Sequence, residues 1–234
     1  MDPQPLMPRN SRGQEGRTDV NYSSAQMRTM FRHAYVLGGS PCCGKSTITA
    51  RLAERLDLQY YKVDDYEFTH LDRCDQEQQP LMHRYAQMSW DEIWMCPVPV
   101  QVEEEFEYYR ERFPLILEDL RDYDLSKPIL LEGTAYLPGL MRRCGVEQSR
   151  AVYMVPTREF QLEHYRKRTW IKGILAHCRD PEQAFANWME RDHLFGQEIL
   201  RRARRFNYRT ILVDGEAGVE DNLGVVGRHF GLAV

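Results

Sequence analysis

Residues 39–46 read Gly-Ser-Pro-Cys-Cys-Gly-Lys-Ser, which places two glycines, a lysine and a hydroxyl at the spacing G-x-x-x-x-G-K-[ST]. Such a bend lines up successive backbone N–H groups with the start of a helix, and together they face an oxyanion. Lys45 is expected to reach the β- and γ-phosphates of a nucleoside triphosphate, and Ser46 to hold Mg²⁺. The expected cradle is Gly39, Ser40, Pro41, Cys42, Cys43, Gly44, Lys45, Ser46 and Thr47. Its flanks suit it. The apolar run 34–37 reads as a buried strand, and Ile48, Leu52 and Leu56 recur at helical spacing after the loop.

Carboxylates follow three further apolar runs: Asp64-Asp65, Glu132 and Asp214. In open α/β sheets ligands gather at the carboxyl ends of strands, so these acids are expected near the loop. Phosphoryl transfer to an alcohol needs a group that orients the hydroxyl and accepts its proton. Asp64 is the expected base, with Asp65 as the alternative; both are also ordinary turn residues. Glu132 is expected to order Mg²⁺ beside Ser46, against the plainer reading of a salt-bridge partner or helix cap. Cations come later in the chain, at Arg158, Arg166, Lys167, Arg168, Lys172, Arg179 and Arg191. Arg166 and Arg168 are the expected partners of the transferring phosphoryl group. Helical spacing puts Arg166 on neither the face of Arg168 nor that of Lys167, so they do not all reach one phosphate. The run 201–205 reads as an exposed helix end.

To position these groups the chain needs an alternating pattern of strands and helices, and from residue 33 onward it has one. Strands are expected over 34–37, 60–63, 129–131, 151–155 and 210–213. Helices are expected after the loop and over 157–169, 182–206 and 219–230. Residues 67–124 form a helical insertion, with Pro114 expected to start or kink a turn. His70, Arg73, His83, Arg84, Trp90, Trp94, Arg110 and Arg112 are its candidate contacts to an acceptor, each also explicable by packing. Residues 170–181, with Gly173 and Pro181, read as a lid between two helices. Residues 1–31, rich in Pro, Arg, Ser, Gln and Asn, read as a mobile tail, in part ordered near 27–31. Residues 32–234 are then one domain.

Composition narrows the function classes. A net charge of −4 gives no global attraction to nucleic acid or anionic membranes, and the acidic stretch 103–107 keeps the insertion from being a basic face. No apolar run approaches the ~20 residues needed to span a bilayer, and the first residues lack a secretory signal's apolar core. The six cysteines show no C-x-x-C pair, which argues against zinc. Adjacent thiols at Cys42 and Cys43 favour a reducing cytoplasm. They also predict inactivation by thiol reagents, with bound nucleotide protecting.

Taken together, residues 39–47, Asp64-Asp65, Leu130-Leu131-Glu132-Gly133, the helix through Arg166 and Arg168, and the closing run 211–215 resemble the P-loop small-molecule kinases. That superfamily includes nucleoside-monophosphate, shikimate, gluconate and chloramphenicol kinases. Residues 130–138 look like the third-strand region of 2-phosphoglycerate-kinase-like members. The resemblance spans about residues 33–230, and only the phosphate loop is highly specific within it. It implies a three-layer α/β/α P-loop NTPase fold with a five-stranded parallel sheet in the order 2-3-1-4-5, a mobile lid, and ATP·Mg²⁺ as donor. The implied activity is transfer of the γ-phosphoryl group to a hydroxyl of a small-molecule acceptor. A hydrolytic NTPase switch and a kinase acting on RNA ends or tRNA-linked groups are the alternatives. The chain departs from the pattern at Cys42, where many relatives carry a third glycine, and at Glu132, where Asp is commoner.

Overall fold

The structure is a computed structural model and describes residues 22–233. The tail expected at 1–31 lies outside the described residues up to position 21. The chain then forms α1 (Ser24–Met30), β1 (Ala34–Gly39), α2 (Lys45–Leu56), β2 (Gln59–Lys62), α3 (Glu67–Arg73), α4 (Pro80–Tyr85), α5 (Trp90–Trp94) and α6 (Val98–Asp119). There follow β3 (Ile129–Glu132), α7 (Pro138–Arg143), β4 (Ala151–Pro156), α8 (Arg158–Arg166), α9 (Thr169–Leu175), α10 (Pro181–Arg205), β5 (Arg209–Val213) and α11 (Val219–Phe230).

The five strands pair in parallel in the order β2-β3-β1-β4-β5. All of β3 and β4 is buried, and their apolar runs suit strands covered on both faces. The register sets Leu37 opposite Glu132, Lys62 opposite Glu132, and Gly39 opposite Met154. The carboxyl ends of four strands therefore meet at one edge. One face of the sheet packs against α1, α6, α7 and α10 through residues such as Phe31, Phe106, Phe113, Met141 and Phe195. The other carries α2 and α11 through Ile48, Leu52, Leu223 and Val226. Crossovers falling on both faces give the three layers.

Helix boundaries follow from local chemistry. Ser23 caps α1 in a capping box with Gln26, and Met27 and Phe31 anchor that helix in the core. Asp180 caps α10, whose first residue is Pro181. Its buried residues, among them Trp188, Phe195, Ile199 and Ala203, recur at helical spacing along the sheet.

Two local expectations change. Helix α6 passes through Pro114 without interruption, because Phe113, Leu115, Ile116 and Leu117 bury around it and offset the missing N–H bond. The region expected as one helix over 157–169 and a following excursion is instead divided into α8 and α9. Ile171, Leu175 and Cys178 seat α9 against Trp94 and Trp188.

Candidate functional site

The phosphate loop leaves β1 and enters α2 with alternating backbone hands, since Cys42 has φ 68° and Gly44 φ 79°. That alternation turns consecutive N–H groups toward a common point, as an anion cradle requires. At Gly44 a Cβ would meet nothing within 4 Å, so the helix start opens onto free space. A non-glycine side chain at Cys42 holds a left-handed conformation at a cost of about 1–2 kcal/mol. Such strain is typical of functional turns. Lys45 is 6% exposed and donates to the Ser40 carbonyl at 2.6 Å, which folds its ammonium across the loop. Burial pulls the lysine down, but Cys43, Glu132 and Asp64 outweigh it, and the group is held above its ordinary value.

Burial also pushes the Cys42 thiol up to about 11, against the opposing pull of Arg168, and raises Cys43. Cys43 is enclosed, and its Sγ donates to the carbonyls of Ser40 and Met154. Burial therefore works against the thiolate at both sulfurs, and so against the thiol reactivity expected of this pair.

Glu132 ends β3, is 1% exposed, and accepts from the Tyr60 hydroxyl at 3.3 Å. Burial raises its pKa most; Lys45 opposes that, Asp64 adds to it, and a hydrogen bond from Ser46 lowers it again. Lys45, Ser46, Glu132 and Asp64 thus form one electrostatic cluster at the carboxyl edge of the sheet. The Ser46 hydroxyl and the Glu132 carboxylate are hard oxygen donors side by side, a set that fits Mg²⁺. No group of three or more His, Cys, Asp or Glu among the described residues makes a metal site by itself. A metal held by one or two protein oxygens and by phosphates needs none.

Asp64 and Asp65 lie in a short 3-10 turn after β2 and are both exposed. They differ in partners. Asp65 is ion-paired to Lys62, whereas Asp64 acts electrostatically on Lys45 and Glu132. Two contacts fix the turn. Gly133 has φ 143°, and a Cβ there would lie 2.1 Å from Val63 Cγ1 and 3.4 Å from Asp64 Oδ1. Only glycine lets β3 press this closely on the acidic turn. From the other side Arg112, 1% exposed, donates to the Val63 carbonyl at 2.7 Å.

Arg112 belongs to a buried network that reassigns several of the expected acceptor contacts. Its Nε donates to His70 Nδ1 at 2.8 Å, and it pairs with Glu67. His70 therefore carries its proton on Nε2 and donates to Asp119 Oδ2 at 2.6 Å. Arg73 pairs with Glu118 and Asp119, and the Tyr61 hydroxyl donates to Asp119 Oδ2 at 2.7 Å. These residues bind the insertion to the sheet. Trp94 stacks on Trp188 at 3.9 Å, Arg84 pairs with Glu104, and Arg110 pairs with Glu107. None of the three has a contact that marks it as an acceptor ligand.

Of the two arginines expected over the phosphates, Arg168 lies with its guanidinium 4.7 Å from the Tyr165 ring centre and close enough to Cys42 to act on its thiol. Arg166 is exposed and lines, with Lys172 and Phe185, a cavity of about 730 Å³. The structure sets Arg168 beside the loop.

Sequence reasoning named Arg191 among the cations but missed the buried acids it pairs with. Gly196 lets α10 close on the loop, for a Cβ there would lie 3.0 Å from Ser40 Oγ. One helical turn earlier Asp192, 2% exposed, accepts from Tyr165 at 2.6 Å and acts on Cys42. Its neighbour Arg191 lies 3.1 Å from Glu105 on α6, and Tyr109 donates to Glu105 at 3.3 Å. The available signal was the charged pair 191–192 on the buried face of an otherwise apolar helical pattern.

The sheet order and the loop at the end of its central strand agree with the expectation from the sequence. The fold is a three-layer α/β/α arrangement around a five-stranded parallel sheet in the order 2-3-1-4-5, as the resemblance implied. No protein-family model and no curated protein matches the chain. Among solved structures it is similar to a shikimate kinase from Aquifex aeolicus vf5, at 18% identity over 82% of this chain and 92% of that one, with TM-score 0.37. It is similar to a gluconokinase from Sinorhizobium meliloti 1021, at 15% identity over 86% and 93%, with TM-score 0.44. A deoxyadenosine kinase from M. mycoides with bound dATP shares 14% identity over 85% and 99%, with TM-score 0.45. No helix among the described residues is long and apolar enough to cross a membrane.

Proposed function

We propose that the protein is a kinase that transfers the γ-phosphoryl group of ATP to a hydroxyl of a small-molecule acceptor. The observation that carries this reading is the meeting of Lys45, Ser46, Glu132 and Asp64 at the mouth of the phosphate loop. The loop N–H groups and Lys45 bind the β- and γ-phosphates, and for this Lys45 exchanges the Ser40 carbonyl for phosphate oxygen. Ser46 and Glu132 would hold Mg²⁺, which would neutralise charge on the phosphates. Arg168 adds positive charge from the lid side. Asp64 accepts the proton of the acceptor hydroxyl as its oxygen bonds to the γ-phosphorus. The bond from that phosphorus to the β,γ-bridging oxygen breaks, and ADP leaves. The unpaired cysteines suit a cytoplasmic protein.

Calorimetric titration with magnesium-ATP tests the donor half. Binding is expected for the wild type, and its absence from well-folded protein overturns the reading.

A further inference from the structure

Helix α10 packs on α6 and, at Gly196, comes close to Ser40 of the phosphate loop. Arg191 is shared there by two buried carboxylates, with Nη1 3.1 Å from Glu105 Oε2 and Nε 2.7 Å from Asp192 Oδ1. The pairs are close but poorly aligned. Glu105 Oε2 and Asp192 Oδ1, on side chains 6% and 2% exposed, accept no directed hydrogen bond, and Arg191 Nε donates none. Buried acceptors in this state are normally satisfied by a ligand or by water.

The groups lie within electrostatic reach of one another and of the loop. Tyr109 is acted on by Glu105, Asp64, Arg191 and Glu67, and Cys42 by Arg168, Asp192 and Lys45. Carboxylates predominate away from the phosphate loop. Arg112 is taken up by Glu67, His70 and the Val63 carbonyl. Arg191 is taken up by two acids and lies 4.9 Å from the Trp94 ring centre. Lys45 and Arg168 are committed to phosphate in the kinase reading. An anionic acceptor would bring its charge against Asp64, Glu105 and Asp192 with the nearest guanidinium already neutralised, and desolvating it there is costly. A ligand rich in O–H or N–H groups would instead supply the missing donors.

Resting on the kinase reading, we infer that the acceptor is a donor-rich alcohol without an anionic group, a polyol or an amino-alcohol. Glu105 and Asp192 bind its O–H or N–H groups, and Arg191 holds the two carboxylates apart. Its reactive hydroxyl lies toward Asp64.

The test uses the full chain with magnesium-ATP and follows ADP release above the acceptor-free rate. One arm holds neutral alcohols (hexoses and nucleosides), the second amine-bearing ones (hexosamines and aminoglycosides). The third holds anionic ones (gluconate, glucuronate and nucleoside 5′-monophosphates). Stimulation of at least about tenfold is expected in the neutral or the amine arm, and which of the two responds separates polyol from amino-alcohol. Stimulation chiefly by the anionic arm, or by neither of the others, overturns the inference. For the acceptor so found, Glu105→Gln and Asp192→Asn are expected to raise KM about tenfold or more while ATP binding stays within about twofold. An unchanged KM in both variants also overturns it. Magnesium-ATP calorimetry separates the two failures, because loss of donor binding defeats the kinase reading itself.

Discussion

The two halves of the site are built in opposite ways. The proposed phosphate side comes from one stretch of chain, residues 39–47, and would work mainly through backbone N–H groups in alternating conformation. The proposed acceptor side would draw Asp64, Glu105, Tyr109, Arg191 and Asp192 from three distant segments and work through side chains, of which Glu105 and Asp192 are buried. Backbone cradles tolerate sequence change, provided the loop keeps its shape. Side-chain pockets depend on each residue and on the elements that carry it. A donor site of this kind can remain fixed while the acceptor site changes.

The largest test of that contrast is Lys45→Ala, which removes the ammonium proposed to reach the β- and γ-phosphates. Turnover of magnesium-ATP is expected to fall by about 10³-fold or more, with far-UV circular dichroism unchanged. Next is Asp64→Asn, expected to lower kcat by about 10²–10⁴-fold and to leave ATP affinity nearly unaltered. Asp65→Asn, whose carboxylate is tied to Lys62, should change kcat by less than about threefold. Equal effects in the two variants would remove the distinction drawn between these acids.

A smaller effect concerns the network that holds the acceptor side to the sheet. Burial alone would raise the Asp119 carboxyl, but hydrogen bonds from His70, Arg73 and Tyr61 outweigh it and hold it at about 2, below its ordinary 3.8. Its contribution is therefore full above pH 4 and is lost as pH falls toward 2. Burial lowers His70 below 6.5, against the pull of Asp119, so the neutral ring is favoured in the folded state. Stability from that ring is likewise present above pH 6.5 and declines as the solution becomes more acidic. Asp119→Asn should cost about 1–2 kcal/mol at pH 7 and flatten the acid limb of a urea-unfolding series; an unchanged limb would show that other groups govern it. The smallest expected effect is at Cys42→Gly. Relief of the left-handed strain should be offset in part by added chain entropy, for a net gain of less than about 1 kcal/mol with ATP affinity kept. A loss of stability there would mean that the Cys42 side chain contributes packing that outweighs its strain.

Much of the scaffold is legible in the residues themselves. The five apolar runs correspond to the five strands within a residue or two; β3 and β4, wholly buried, are legible because a strand covered on both faces is continuously apolar. The phosphate loop is legible because its chemistry is contiguous. Pro114 misleads because its helical penalty is local, whereas the packing of Phe113, Leu115, Ile116 and Leu117 that overrides it is not. His70, Arg73 and Arg112 have the residue types of acceptor ligands, yet they are bound into one another, and a linear pattern carries no information about such closure.

From the sequence alone came the periodicities, the loop and the strand order expected of its resemblance, all set by short-range spacing and by which faces must avoid water. Tertiary structure alone decided that Asp64 and not Asp65 acts on Lys45, and that Arg168 lies by the loop. It also decided that Glu105, Arg191 and Asp192 share one buried site. Those outcomes depend on helix-to-sheet approach at Gly133 and Gly196, where a missing methyl group lets distant segments come into contact. Electrostatic partnership inside a protein is set by distances of a few ångströms through space, and separation along the chain does not encode them.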